Sequence, residues 1–247
     1  MIGGMIGETS GETSGGTSAS EPDQQATRVI AIRHGETDWN VDGRIQGQLD
    51  IPLNAMGRWQ VHRLALAVAD EDIAAIYSSD LLRALETAQA VSRGCGRPIV
   101  TDEGLRERGF GVFEGQSYAE INTRWPEMGE RWRRRDPTFG APGGETLNQF
   151  YARSIATASR LAALHAGQTI ALVSHGGVMD CLYRAASRLA LDAPRSWQLG
   201  NASINRLLYT PQGFTLIGWS DTYHLDDDAA GEFADADPRP TRRERAA

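Results

Sequence analysis

The segment at 27–40, TRVIAIRHGETDWN, runs through four apolar residues (Val29, Ile30, Ala31, Ile32) and then stops on Arg33, His34 and Gly35. A short, continuous apolar run suits a strand buried on both faces, as in the parallel sheets of α/β proteins. Burial alone gives such a strand no reason to end on a charge, an imidazole and a glycine. The segment therefore predicts a central strand at 28–33 whose exit carries chemistry.

Three further runs read the same way: 73–78 (IAAIYS), 98–101 (PIVT) and 169–174 (TIALVS). Between them, helical patterns cover 55–69, 80–93, 146–165 and 177–190. In the third, Leu147, Phe150, Tyr151, Ile155, Ala158, Leu161 and Ala162 recur at three- and four-residue spacing and form one apolar stripe. Asn54 and Ser79 stand where N-caps of the first two helices belong. Late in the chain, SINRLLYT and FTLIGWS flank a Pro-Gln-Gly turn and predict two paired strands. The alternation predicts an α/β three-layer α/β/α sandwich, with a mostly parallel central sheet and an antiparallel edge strand. In such sheets ligands bind beyond the carboxyl ends of the strands.

The 247 residues suffice for one large domain. Residues 1–27, with GETS twice and GGTS once, cannot bury enough surface to offset ordering entropy and read as a flexible leader. The stretch 226–247 reads as a loose acidic and arginine-bearing tail, leaving 28–225 as the folded domain. The net charge of −7 sits in these ends, because 28–220 holds 20 acids against 21 arginines. All 25 basic residues are arginine, so any anion site must use guanidinium, histidine or backbone N–H groups. No basic stripe suggests nucleic acid, and no apolar run is long enough for a membrane span. The N-terminus lacks the basic and apolar regions of a signal peptide, and a cytoplasmic location is expected. Cys95 and Cys181 have no CxxC spacing, which argues against a disulfide framework or a cysteine-based zinc site and fits a reducing compartment.

Each strand exit carries polar groups. The first gives Arg33-His34-Gly35, and the second gives Ser78-Ser79-Asp80 with Arg83 one turn on. The third leads into DEGLRERGFGVFEG (102–115), with Glu103, Arg106, Glu107 and Arg108. The fourth gives Ser174-His175-Gly176-Gly177. One histidine at a strand end reads as a packing or capping residue. Two of five, each followed by glycine and joined by arginine and acid at other exits, describe a phosphoryl-transfer site without a metal. An imidazole is nucleophilic at neutral pH when one ring nitrogen is held bare. Guanidinium groups grip phosphate oxygens, a carboxylic acid can protonate a poor leaving group, and glycines let backbone N–H groups approach an anion.

The motifs RHGETDWN (33–40), GQLDIPLNAMG (47–57), SSDLLRALETA (78–88), LRERGFGVFEG (105–115) and SHGG (174–177) resemble the histidine phosphatase superfamily, in its phosphoglycerate-mutase-like branch. The resemblance covers nearly all of 28–225. It implies that His34 becomes phosphohistidine and that Arg33, Arg83 and His175 complete the phosphate pocket. Asn40 and the Gly176 backbone would add hydrogen bonds, Glu107 would be the proton donor and later the base, and Gln46 and Gly47 would line the substrate. Phytase-like members place an acid directly after the second histidine, whereas glycines follow His175. True mutases carry a longer insertion before that histidine, whereas Glu107 and His175 are 68 positions apart.

The resemblance thus implies a metal-independent phosphomonoesterase acting on a small phosphorylated metabolite, with no cofactor. The alternatives are a cofactor-dependent phosphoglycerate mutase, which would use 2,3-bisphosphoglycerate, and a catalytically silent phosphate- or protein-binding module. A homodimer is compatible with the sequence.

Other features carry expectations of their own. RWRRRD (131–136) reads as a solvated arginine-rich helix face, with a basic lid over an anionic substrate as the alternative. Substrate choice is expected in 113–145. His62, His165 and His224 read as surface or packing histidines, and Cys181 as a buried structural thiol. Asn201-Ala-Ser fits a glycosylation sequon that no secretion signal supports. Glu103 rivals Glu107 on residue type alone, and Arg106 and Arg108 either flank the site or face solvent.

Overall fold

The computed structural model describes residues 25–226. Thr27–Arg33 form strand β1, and its alternation explains the continuous apolar run. Val29 and Ala31 enter one core cluster while Ile30 and Ile32 enter another, so both faces of the strand are buried. Ile170 and Leu172, against Ala171 and Val173, divide in the same way. Burying one such aliphatic side chain contributes about 1.5–3 kcal/mol.

The other strands are β2 (Ile73–Ser78), β3 (Ile99–Thr101), β4 (Thr169–Ser174), β5 (Ile204–Thr210) and β6 (Gly213–Asp221). Their order across the sheet is β3-β2-β4-β1-β5-β6. The first four are mutually parallel; β5 runs antiparallel to β1 and to β6, the edge strand. Helices α2 (Ala55–Ala67) and α3 (Leu82–Cys95) cover one face, where Leu64, Val68, Ala84, Ala88 and Val91 meet Ile30 and Ile32. Helices α6 (Leu147–Ala163) and α7 (Gly176–Ser187) cover the other through Phe150, Leu161, Val178 and Leu182. This is the expected three-layer α/β architecture. Three shorter helices complete the set: α1 (Asp38–Val41), α4 (Tyr118–Arg124) and α5 (Pro126–Arg133).

Asn54 caps α2 as expected, its side chain accepting from the Gly57 N–H. Ser79 does not cap α3. That helix starts after Leu81 with no side-chain cap, and the Ser79 hydroxyl is used elsewhere. The helices α4 and α5 fill part of the 113–145 segment. They pack around Phe113, Ile121 and Phe139, with Trp125 and Trp132 against them, as a small separate core above the sheet. Most of the expected leader and tail lies outside the described residues. At the leader's inner margin, Thr27 is already part of β1, 2% exposed, and its hydroxyl donates to the Ala162 carbonyl. No helix among the described residues is long and apolar enough to cross a membrane.

Candidate active site

The register of the parallel strands determines what meets at their carboxyl ends. Arg33 pairs with Ser174, and Ser78 pairs with Val173. The next residues along each strand, His34, His175 and Ser79, are therefore neighbours. The two imidazole rings lie 5.3 Å apart, centroid to centroid, tilted by 60°. His34 Nδ1 is 2.7 Å from the Gly35 carbonyl. A carbonyl can only accept, so Nδ1 carries the proton and Nε2 is the bare nitrogen of the neutral ring. Burial, then the Arg83 and Arg33 charges, hold the His34 pKa well below its ordinary value, so the ring is neutral at physiological pH. Burial and the Arg83 charge do the same for His175.

Gly35 is sterically required at this turn. A Cβ there would stand 2.8 Å from the Gly57 carbonyl and 2.9 Å from Val61. Asn201, from the sequon, is built into the same turn rather than presented for modification. Its amide donates to the His34 and Gly35 carbonyls and to Asn40 Oδ1 at 3.1–3.2 Å.

Arg33 donates to the Leu199 carbonyl, while its Nε is buried without a hydrogen-bond partner. Arg83 donates to the Gly47 and Leu49 carbonyls, and its Nε is likewise unpartnered. Burial lowers both guanidinium pKa values to about 10, against the opposing charge of Glu107, and both remain cations at neutral pH. His175 Nδ1 is a third buried nitrogen with no partner. Glu107 is held by two backbone N–H groups, Arg108 at 2.8 Å and Gly177 at 3.0 Å. Asn40 caps α1 reciprocally with Thr37, which occupies its Oδ1, and it also lines the cavity.

These residues surround a cavity of about 310 Å³. Arg33, His34, Asn40, Gln46, Gly47, Arg83, Glu107 and Gly176 all line it. His175 is fully buried beside it. The structure thus brings every sequence-predicted site residue to one place. Glu103 is not among them, since its side chain is 75% exposed and pairs with Arg106. Arg106 itself is tied to Asp80. Arg108 does not face solvent; it is 6% exposed and donates to the Phe139 and Glu145 carbonyls at the cavity wall.

The arginine-rich hexapeptide divides between the two readings. Arg131, Arg133 and Arg134 pair with Asp136 and Glu130 on the surface. Arg135 takes a left-handed φ of 56° and lines the cavity, held by Asp180 at 2.6 Å and by the Leu191 carbonyl. With Arg44, Arg108 and Arg195, the lining holds six arginines against Glu107 and Asp180, a strongly cationic enclosure. Tyr118 and Trp132, stacked at 5.0 Å and 10°, form an aromatic wall. Sequence reasoning missed Arg44, Tyr118 and Arg195, because each lies outside the strand exits. His62 is exposed, His165 bonds Tyr77 and Gln168, and His224 is buried away from the cavity. Cys181 is 1% exposed, and burial raises its pKa beyond the reactive range. Among the described residues, no group of three or more His, Cys, Asp or Glu side chains is placed to hold a metal ion.

The sequence pattern of the histidine phosphatase superfamily (branch 1) matches residues 29–222. Phosphoglycerate mutase-like protein 4 of Arabidopsis thaliana is 36% identical over 209 residues, 83% of this chain and 90% of that protein. A mycobacterial glucosyl-3-phosphoglycerate phosphatase, solved with VO3, superimposes with a TM-score of 0.71 at 32% identity, covering 78% of this chain and 98% of that one. A phosphoserine phosphatase variant from Entamoeba histolytica, solved with phosphoserine, gives 0.72 at 30% identity, covering 81% and 100%.

Proposed function

The chain belongs to branch 1 of the histidine phosphatase superfamily, and on that premise we propose that it is a metal-independent phosphomonoesterase working through a phosphohistidine on His34. The observation that carries this reading is the set of buried, unpartnered nitrogens beside His34: Arg33 Nε, Arg83 Nε and His175 Nδ1. A buried donor left unpaired costs about 1–3 kcal/mol. An anion with several acceptor oxygens satisfies all three at once.

His34 Nε2 gives its lone pair to phosphorus as the bond to the leaving oxygen breaks. Arg33, Arg83 and His175 stabilise the charge on the transferring oxygens, with the Gly176 backbone and Asn40 adding hydrogen bonds. Glu107, in its acid form, protonates the leaving oxygen. Its carboxylate then takes a proton from water, which attacks phosphorus and releases His34 with inorganic phosphate. Gln46 and Gly47 line the side where the organic group leaves.

Hydrolysis is favoured because the 68-position interval between Glu107 and His175 adds only the short helices α4 and α5 and a 3-10 turn at 111–113 to the framework elements α6 and β4. The mutase reading draws support from the cationic outer wall of Arg44, Arg135 and Arg195, which suits an acidic second substrate.

The test is phosphate release from a broad phosphomonoester panel with EDTA present, alongside exchange between 3- and 2-phosphoglycerate with and without 2,3-bisphosphoglycerate. Release that persists in EDTA and outpaces exchange is expected. Exchange outpacing release would make the chain a mutase, activity lost to EDTA would overturn the metal-free mechanism, and neither activity would leave a binding module.

A further inference from the structure

Ser79 is fully buried and lies in the turn between β2 and α3. Its backbone is fixed on both sides: its N–H donates to the Val173 carbonyl at 3.0 Å, and its carbonyl accepts the Ser78 hydroxyl at 2.8 Å. Its Oγ accepts the Leu81 N–H at 3.3 Å and lies 2.8 Å from His175 Nε2.

A hydroxyl has one proton and two lone pairs. If His175 Nε2 carried a proton, Ser79 Oγ would accept twice, and its own proton would have no acceptor in a fully buried site. That arrangement leaves a buried donor unpaired, which is unfavourable. If Ser79 instead donates to a bare Nε2, all its groups are used, and the single proton of the neutral imidazole sits on Nδ1. Nδ1 is the nitrogen with no partner in the protein.

We propose that Ser79 is a positioning residue that fixes His175 in the Nδ1–H tautomer, so that the second histidine meets the phosphoryl group as a neutral hydrogen-bond donor. The proposal deepens the phosphohistidine reading and rests on it for the identity of the anion, though not for the tautomer. Both histidines then carry their proton on Nδ1 and present opposite ends. His34 spends Nδ1–H on the Gly35 carbonyl and offers a lone pair from Nε2. His175 spends Nε2 on Ser79 and offers N–H from Nδ1. One ring attacks phosphorus while the other stabilises its oxygens, and both are neutral. The burial and arginine charges that hold His175 well below its ordinary pKa act in the same direction.

The experiment is 15N NMR of the full chain labelled with 15N-histidine, with His175 assigned by difference from His175→Gln. In the unmodified protein, Nδ1 is expected to be protonated and Nε2 bare; a protonated Nε2 would overturn the proposal. In Ser79→Ala the preference should weaken to a mixture of tautomers. With a folded variant, kcat should drop about tenfold, as expected for one buried hydrogen bond, and Ser79→Thr should restore the tautomer. Retention of a pure Nδ1–H tautomer in Ser79→Ala would also refute it. The spectrum of the unmodified protein decides the question even if Ser79→Ala does not fold. Failure of the phosphatase reading would show instead as an absence of phosphate release with the tautomer intact.

Discussion

At the scale of single residues, three of the chain's five histidines, His34, His175 and His224, are buried and held neutral, each at 3% exposure or less. All three have folded pKa values below the ordinary 6.5, with burial as the leading cause. Below pH 6.5 the unfolded chain binds protons that the folded chain refuses, so stability falls as pH drops from 6.5 toward the folded values. For His224, lowered to about 4, the loss reaches about 2 kcal/mol by pH 5, and the other two add to it. Urea unfolding midpoints at pH 7.5 and pH 5 measure this. A clearly lower midpoint at pH 5 is expected, and equal midpoints would contradict neutral burial. His34 and His175 could be found in the sequence because a histidine between a strand and a glycine is unusual. His224 looked like a surface or packing residue, and nothing local showed that its ring enters the core.

At the scale of elements, the start of α7 shows why its second residue, Gly177, is a glycine: it leaves room for the Glu107 carboxylate. The Gly177 N–H donates to Glu107 Oε2, and a Cβ at this position would fall on Glu107 Oε1. Gly177→Ala, a substitution that helix propensity favours, should therefore displace the carboxylate without unfolding the helix. A drop in kcat of about a hundredfold is expected, as for loss of a general acid. The melting temperature should move by only about 2–4 °C. Unchanged kcat would remove Glu107 from the chemistry. The strands and long helices were legible because their periodicity is carried by their own residues. The lid helices α4 and α5 were not: their apolar positions serve a separate small core with Phe113, Phe139 and Trp132, which only the folded chain assembles. Ser79 was misread for a related reason. A serine immediately before a helical pattern suits a cap, but α3 begins only at Leu82, and the register of β2 against β4 turns the Ser79 hydroxyl to His175.

At the scale of the whole molecule, the parallel register of β2, β4 and β1 gathers residues 33, 34, 79 and 175 at one end of the sheet, the loop after β3 brings Glu107 there, and α4 and α5 add Tyr118 and Trp132 to the wall of a cationic cavity. The family motifs in the sequence identified the inner half of that cavity. Its outer half, with Arg44, Tyr118, Arg135 and Arg195, comes from loops and lid, where residue type alone does not reveal which side chains turn inward. Arg135 parts from its neighbours Arg133 and Arg134 at a left-handed backbone that no local signal announces, and its side chain reaches Asp180 instead of Glu130. In the proposed reaction the phosphoryl group passes through His34. The most direct measurement is a rapid denaturing quench during turnover of a 32P-labelled phosphomonoester, followed by peptide mapping. An acid-labile, alkali-stable phosphoryl group is expected on the His34 peptide and is absent from a folded His34→Ala protein that no longer turns over. Turnover with no such label, or with label on a carboxylate or hydroxyl, would contradict it.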